Sequence, residues 1–183
     1  SELARDAAIP QPTCHRYLNL LETGCVLVRV PPYSSNPATG LVKCPKTLWT
    51  DCGLAAWLAG IADAAALKRR PDLGFWLEQT VFQSLQSWRS LDPARRRIFY
   101  WRDRAGNEVD FLLEDGDHLA ALEIKCSTRA SADDASGILA LRKTLKRSGQ
   151  QLPGGILHGG DSVRPLGDHL YALPWQWLFP DLV

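Results

Sequence analysis

The sequence has no methionine, no C-x-x-C pair, and no apolar run near the ~18 residues that a membrane-spanning helix needs. It opens on serine, and with methionine absent this leads us to expect a piece of a longer or processed chain. The five cysteines, Cys14, Cys25, Cys44, Cys52 and Cys126, are odd in number and scattered. That pattern argues against a disulfide framework or a zinc site, and for reduced thiols that are mostly buried. The four histidines, His15, His118, His158 and His169, lack metal-ligand spacing, and neither G-x-S-x-G nor G-x-x-x-x-G-K-[ST] occurs. Net charge is nearly absent at +1, so any contact with nucleic acid must rest on local patches. With no spanning segment and no signal-peptide pattern, the expected location is cytoplasmic, with no membrane partner.

What is present suits one medium domain or two small ones: 183 residues, 45% hydrophobic and 22% charged. The first eight residues read as a short helix, broken by Ile9-Pro10-Gln11-Pro12. Thr13 is a candidate N-cap for a second helix with Tyr17, Leu18 and Leu21 on one side, and Gly24 is its stop. Two β-rich runs, 25–30 and 40–44, flank a Pro-rich loop and read as a hairpin with a long tip. Helix, turn, helix and hairpin make a winged helix-turn-helix that lacks its first helix. In that arrangement the second helix presents Gln11, His15, Arg16 and Asn19, with the hairpin as the wing. The alternative is a module that packs on a neighbour and never touches DNA.

After Lys46 come a helix opened by Asp51 and an Ala-rich helix over 61–67. Pro71 then marks a boundary. The later order is a long helix (73–90), three strands (97–103, 107–114 and 119–126), a helix (136–147) and two strands (154–158 and 169–173). The expected fold class is therefore α+β, divided as 1–50, 51–72 and 73–183.

The chemistry lies in that last segment. Alternation along 107–114 puts Val109, Phe111 and Leu113 on one face, with Glu108 and Asp110 on the other. A turn at Asp115-Gly-Asp-His118 leads into a strand whose parity gives Glu123 and Lys125 a common face. Neighbouring antiparallel strands would bring Asp110 and Glu123 together across the ladder. Adjacent carboxylates repel unless a cation or a proton neutralises them, and all-oxygen donors suit Mg²⁺ or Mn²⁺ better than zinc. A lysine beside them could polarise water or stabilise developing phosphorane charge. On the long helix Glu78 falls within roughly 40° of Phe82 and Leu85 on the helical wheel. A carboxylate in that apolar stripe needs a partner, and the metal site or Lys125 is the natural candidate.

The segment from about Leu73 to Leu173 resembles the PD-(D/E)XK nuclease superfamily, which includes restriction endonucleases and Holliday-junction resolvases. That resemblance implies an αβββαβ core with Glu78 as the first-helix carboxylate, Asp110 as the strand aspartate, and Glu123 with Lys125 as the (D/E)-x-K pair. Val109 stands where the superfamily's name has proline. The whole chain is more closely similar to the C-terminal region of bacterial and archaeal AAA-type ATPase-like proteins, usually labelled a domain of unknown function. The residues that carry this are the winged-helix opening, Pro45-Lys-Thr-Leu-Trp-Thr-Asp-Cys-Gly-Leu54, Gly74-Phe-Trp-Leu-Glu-Gln-Thr-Val81, Tyr100-Trp-Arg-Asp103, Asn107-Glu-Val-Asp-Phe111 and Leu122-Glu-Ile-Lys-Cys-Ser127. It implies an ATPase module elsewhere in the full-length chain.

Two function classes follow. One is a Mg²⁺-dependent nuclease with Asp110, Glu123 and Glu78 as metal ligands and Lys125 as catalytic lysine, Glu108 being an alternative ligand. DNA phosphates would be held by Arg16, by Arg95, Arg96 and Arg97, by Arg102 and Arg104, and by Lys143, Lys146 and Arg147. The other is a non-catalytic DNA- or protein-binding module coupled to an ATPase, with Trp175 and Trp177 beside Leu178 and Phe179 as a contact surface or, alternatively, a cap on the core.

Overall fold

The computed structural model describes residues 2–34, 44–145 and 152–178. Helices α1 (Glu2–Asp6) and α2 (Gln11–Thr23) come first. Helix α2 begins before the expected Thr13 cap, with Pro10 at the N-cap and Pro12 in the first turn, where a missing N–H leaves nothing unpaired. Gly24 closes it as expected, its N–H donating to the Leu20 carbonyl at 2.8 Å. Tyr17 and Leu20 are more than half exposed, so the inward side of α2 is Cys14 and Leu18 rather than the stripe through Tyr17 and Leu21. Cys14 is buried, whereas Cys25, Cys44 and Cys126 are exposed, which corrects the expectation of mostly buried thiols.

Strand β1 (Leu27–Val30) pairs antiparallel with β2 (Lys46–Trp49), Val30 standing opposite Lys46 and Leu27 opposite Trp49. The second strand of the hairpin was expected at 40–44; it lies instead at Lys46–Trp49, and residues 40–43 fall outside the described ones. The physical reason is burial. Leu48 is 1% exposed and joins Val30 in the main core, where an apolar side chain stabilises the fold by about 2 kcal/mol. The two paired strands are thus packed into the core through Val30 and Leu48. Their neighbourhood is tied down by a parallel bridge between Pro32 and Tyr100 and by the Tyr100 hydroxyl donating to the Cys44 carbonyl.

Short helices α3 (Cys52–Leu58) and α4 (Ala64–Lys68) are capped by Asp51 and Asp63, whose carboxylates accept from the Leu54 and Ala66 N–H groups. Then come α5 (Leu73–Ser90), β3 (Arg96–Arg102), β4 (Glu108–Asp115), β5 (His118–Ile124), α6 (Ser136–Leu145), β6 (Gly154–His158), β7 (Arg164–Gly167) and β8 (Leu170–Pro174). The expected order of helix, three strands, helix and strand is present, and β7 is an addition. The six-stranded sheet runs β3-β4-β5-β6-β8-β7, with β3, β4 and β5 antiparallel and β5, β6 and β8 parallel. The protein is a mixed α+β structure. Among the described residues no helix is long and apolar enough to cross a membrane.

Helices α5 and α6 cover opposite faces of the sheet. Val81, Phe82 and Leu85 of α5 pack with Ile98, Tyr100, Phe111, Val30 and Leu48. Ile138 and Leu141 of α6 pack with Trp101, Val109, Leu112 and Ala121. Residues of β4 do not alternate simply between these clusters. Phe99 faces Leu112 and Trp101 faces Val109, so two residues of β4, Asp110 and Phe111, stand against the single Tyr100. This is a β-bulge, and it separates Val109 from Phe111, which strict alternation put on one face. Phe111 can then stack on Phe82 of α5, ring centroids 5.9 Å apart, while Val109 faces α6.

Candidate functional site

Asp110 occupies the bulge, at the end of the sheet where the β4–β5 ladder stops. The last ladder pair is Phe111 with Leu122, so Asp110 and Glu123 stand one step beyond it. The Asp110 Oδ2 atom accepts from the Ile124 N–H at 2.9 Å, a bond that orients its carboxylate toward β5. A bulge re-aims a side chain without breaking the flanking strand, which is the local reason the sequence can present a carboxylate here.

Two charged groups meet at Asp110. On the α5 side lies Lys46 of β2. Its ammonium forms an ion pair with Glu78 and stands 3.2 Å from Glu108 Oε1 and 3.8 Å from Asp110 Oδ1. Beyond it, Arg102 reaches Glu108 Oε2 at 3.7 Å. On the β5 side Lys125 donates to Glu123 Oε1 at 2.9 Å. Glu123 Oε2 is buried and, among the described residues, accepts no hydrogen bond. By alternation Glu123 shares the face of Ala121, which packs toward α6, while Leu122 and Ile124 pack toward α5. Asp110 therefore links a Glu78–Lys46–Glu108 group to a Glu123–Lys125 group.

Burial sets the proton affinities. Desolvation lifts Glu78 to about 7, against the opposing pull of Lys46 and with help from the Asp110 charge. Desolvation and the Asp110 charge together lift Glu123 to about 7, despite Lys125. Asp110 is raised in the same direction, by burial first, with Lys46 and the Ile124 N–H opposing. For Lys46 burial pulls downward, but the charges of Glu78, Asp110 and Glu108 outweigh it and hold the ammonium above its ordinary range. Lys125 is likewise raised, burial being outweighed by its bond to Glu123.

A hard divalent cation fits these donors in kind, because all are carboxylate oxygens and one buried Glu123 oxygen has no hydrogen-bond partner among the described residues. The arrangement narrows the fit. Among the described residues no three His, Cys, Asp or Glu side chains gather as a metal cage, and Glu78 is engaged by Lys46. Asp110 and Glu123 are the carboxylates that would hold such an ion, in the Mg²⁺ manner of one or two protein ligands.

The other sequence candidates lie apart. Arg95 and Arg96 meet Asp115 at 3.5 and 3.0 Å, and Arg97 meets Glu114 at 3.6 Å. These pairs sit at the far end of β4, about 13 to 16 Å from Asp110 at ~3.3 Å per residue. Arg96 also covers the Trp88 ring and bonds the Trp88 carbonyl. A cavity of about 540 Å³ at that same end is lined by Trp88, Leu113, Asp115, His118 and Arg142, with none of the carboxylate-group residues. His15 and Arg16 are exposed on α2, Asn19 accepts from Arg29, and Lys146 and Arg147 fall outside the described residues. Trp177 is 62% exposed, whereas Trp175 packs on the α5-side core.

Lys46 is the residue that sequence reasoning missed. The sequence signalled a strand there, since Thr47 and Trp49 favour strands and Asp51 caps the next helix, but it gave no sign that Lys46 would meet the carboxylates. Its position is fixed by its neighbours, since the Trp49 N–H donates to Gln79 of α5 at 2.8 Å, one residue from Glu78.

The mixed α+β fold, with a carboxylate and lysine group at one end of a six-stranded sheet, defines a class of architecture that a family match makes specific. The chain belongs to the family described as "Domain of unknown function (DUF4143)", whose model matches residues 73–178. A second model, "Domain of unknown function (DUF8612)", matches residues 1–65. Two uncharacterized mycobacterial proteins, Rv2008c of Mycobacterium tuberculosis and Mb2031c of Mycobacterium bovis, are each 29% identical to this chain over 174 residues. The alignments cover 95% of this chain and 37% of each relative, so the chain spans little more than a third of their length. No solved structure matches.

Proposed function

We propose that this chain is the C-terminal part of an AAA-type ATPase-like protein and carries a divalent-metal-dependent, PD-(D/E)XK-type nuclease site acting on DNA phosphodiesters. The observation that carries this reading is the position of Asp110, re-aimed by a bulge into contact with both the Lys46–Glu78 group and the neighbourhood of Glu123 and Lys125. The order α5-β3-β4-β5-α6-β6 supports the nuclease-like core. Helices α1 and α2 followed by the hairpin support a truncated winged helix.

In this reading Asp110 and Glu123 hold Mg²⁺ or Mn²⁺. When bound, the ion polarises a phosphoryl oxygen and lowers the pKa of water. Lys125 stands beside Glu123 to donate to charge that develops on the phosphorus oxygens. Glu78 shapes the site through Lys46. The exposed residues of α2, Arg16 among them, face the DNA.

Incubating plasmid DNA with Mg²⁺ or Mn²⁺ tests the assignment: nicking by the wild type that Asp110→Ala and Lys125→Ala each reduce at least 100-fold is expected. Cleavage that persists in Asp110→Ala would point to a contaminant.

A second reading, a non-catalytic binding module for an ATPase partner, is favoured by the apolar side chains left exposed on α2 and α3: Tyr17, Leu20, Trp57 and Leu58. That reading expects the wild type to show no cleavage at all.

A further inference from the structure

Carboxylates in a half-buried cluster need counter-charge, and the question is where this protein finds it. Glu78, Glu108 and Asp110 converge from a helix and a strand, yet the cation among them comes from neither. It comes from Lys46 on the N-terminal hairpin, with only about a fifth of its side chain exposed. The hairpin cannot withdraw it easily. Leu48, two residues on, is buried among Val81, Phe82 and Phe111, and the Trp49 N–H is bound by Gln79. Each oxygen of Asp110 has a neighbour: Oδ2 accepts from the Ile124 N–H, and Oδ1 stands 3.8 Å from the Lys46 ammonium. An ion held by Asp110 would therefore lie close to an ammonium already beside that carboxylate.

We propose that Lys46 is the resident counter-cation of this cluster and a positioning residue that holds down the site's affinity for divalent cations, so that the N-terminal hairpin sets the metal response of the C-terminal sheet. The proposal rests on the metal-site reading given above. Two like charges within a few ångströms in a poorly solvated pocket oppose each other strongly, so neutralising Lys46 must favour a bound cation. Arg102 lies one layer further out, on the other oxygen of Glu108, and is about half exposed, so solvent screens it and it does not replace Lys46.

The test is a calorimetric titration of Mn²⁺ into the full chain as wild type, Lys46→Met, Lys46→Gln and Lys46→Arg. Lys46→Gln keeps a hydrogen-bond donor for Glu78 and serves if Lys46→Met fails to fold, as judged by circular dichroism. At least tenfold tighter binding is expected in the neutral variants, lost again when Asp110→Ala is added. Lys46→Arg, which keeps the charge, should stay within threefold of the wild type. Equal or weaker binding in the neutral variants overturns the role of Lys46 while leaving the metal site standing. Absence of Mn²⁺ binding in every protein overturns both.

Discussion

Strand β4 carries acidic residues at both ends, Glu108 and Asp110 at its start and Glu114 and Asp115 at its finish. At the finish each carboxylate has a guanidinium within reach: Asp115 has Arg95 and Arg96, and Glu114 has Arg97. At the start three carboxylates share the Lys46 ammonium, with Arg102 at the rim, and Glu123 depends on Lys125. Glu78 and Glu123, both beside the start, are pushed up to about 7 by burial first, whereas the finish sets three guanidinium groups against two carboxylates. Residue type does not distinguish the two ends. The ratio of cations to buried carboxylates does, and a deficit of built-in cations is what a metal or a proton can fill.

The most disruptive way to break the carboxylate end is from behind. Gly137 of α6 lies so close to β4 that a Cβ there would sit 1.8 Å from the Glu108 carbonyl oxygen. Gly137→Ala should cost about 3 kcal/mol, measured by denaturant unfolding, because backbone must move to accept it. It should also weaken any Asp110-dependent metal binding by displacing the strand.

The next effect is on pH dependence. Because Glu123 is raised from 4.5 to about 7 in the folded state, the fold binds more protons than the unfolded chain across that window. Its contribution to stability is full below 4.5 and is lost as pH rises through about 7. Glu123→Gln should therefore stabilise the protein at pH 8 by roughly 2 kcal/mol and flatten the stability curve between pH 5 and 8. Thermal melts across that range check it, and a variant less stable than wild type at pH 8 would refute the sign.

Smaller changes are expected at the finish of β4. Asp115→Asn removes two partly solvated pairs and should cost about 1 kcal/mol, with no effect on metal binding. Arg97→Ala, an exposed pair with Glu114, should change stability by less than about 0.5 kcal/mol. A DNA affinity that falls sharply in Arg97→Ala would show that this end contacts phosphate despite its pairing.

The sequence exposed some of this and hid the rest for definite reasons. Helix α5 was legible to the residue because its apolar side chains recur at helical spacing, and Glu78 stood out as a charge within that stripe. The pairing of Glu123 with Lys125 was legible from strand parity, although β5 itself ends at Ile124. The bulge at Asp110 was not, because an extra residue in a strand depends on the partner's register, which no single strand encodes. Lys46 escaped for a related reason. The run 40–44 reads as a strand of its own, and it is packing against α5, β3 and β4 that takes Leu48, and with it Lys46, into the interior. Long-range packing, not local propensity, put the lysine among the carboxylates.

The account stands on Asp110 as the hinge of a cation-deficient site. Titrating Mg²⁺ or Mn²⁺ into wild type and Asp110→Ala in a calorimeter addresses that most directly. We predict saturable binding of one ion to the wild type and none to the variant. Binding that survives the loss of Asp110 would contradict it.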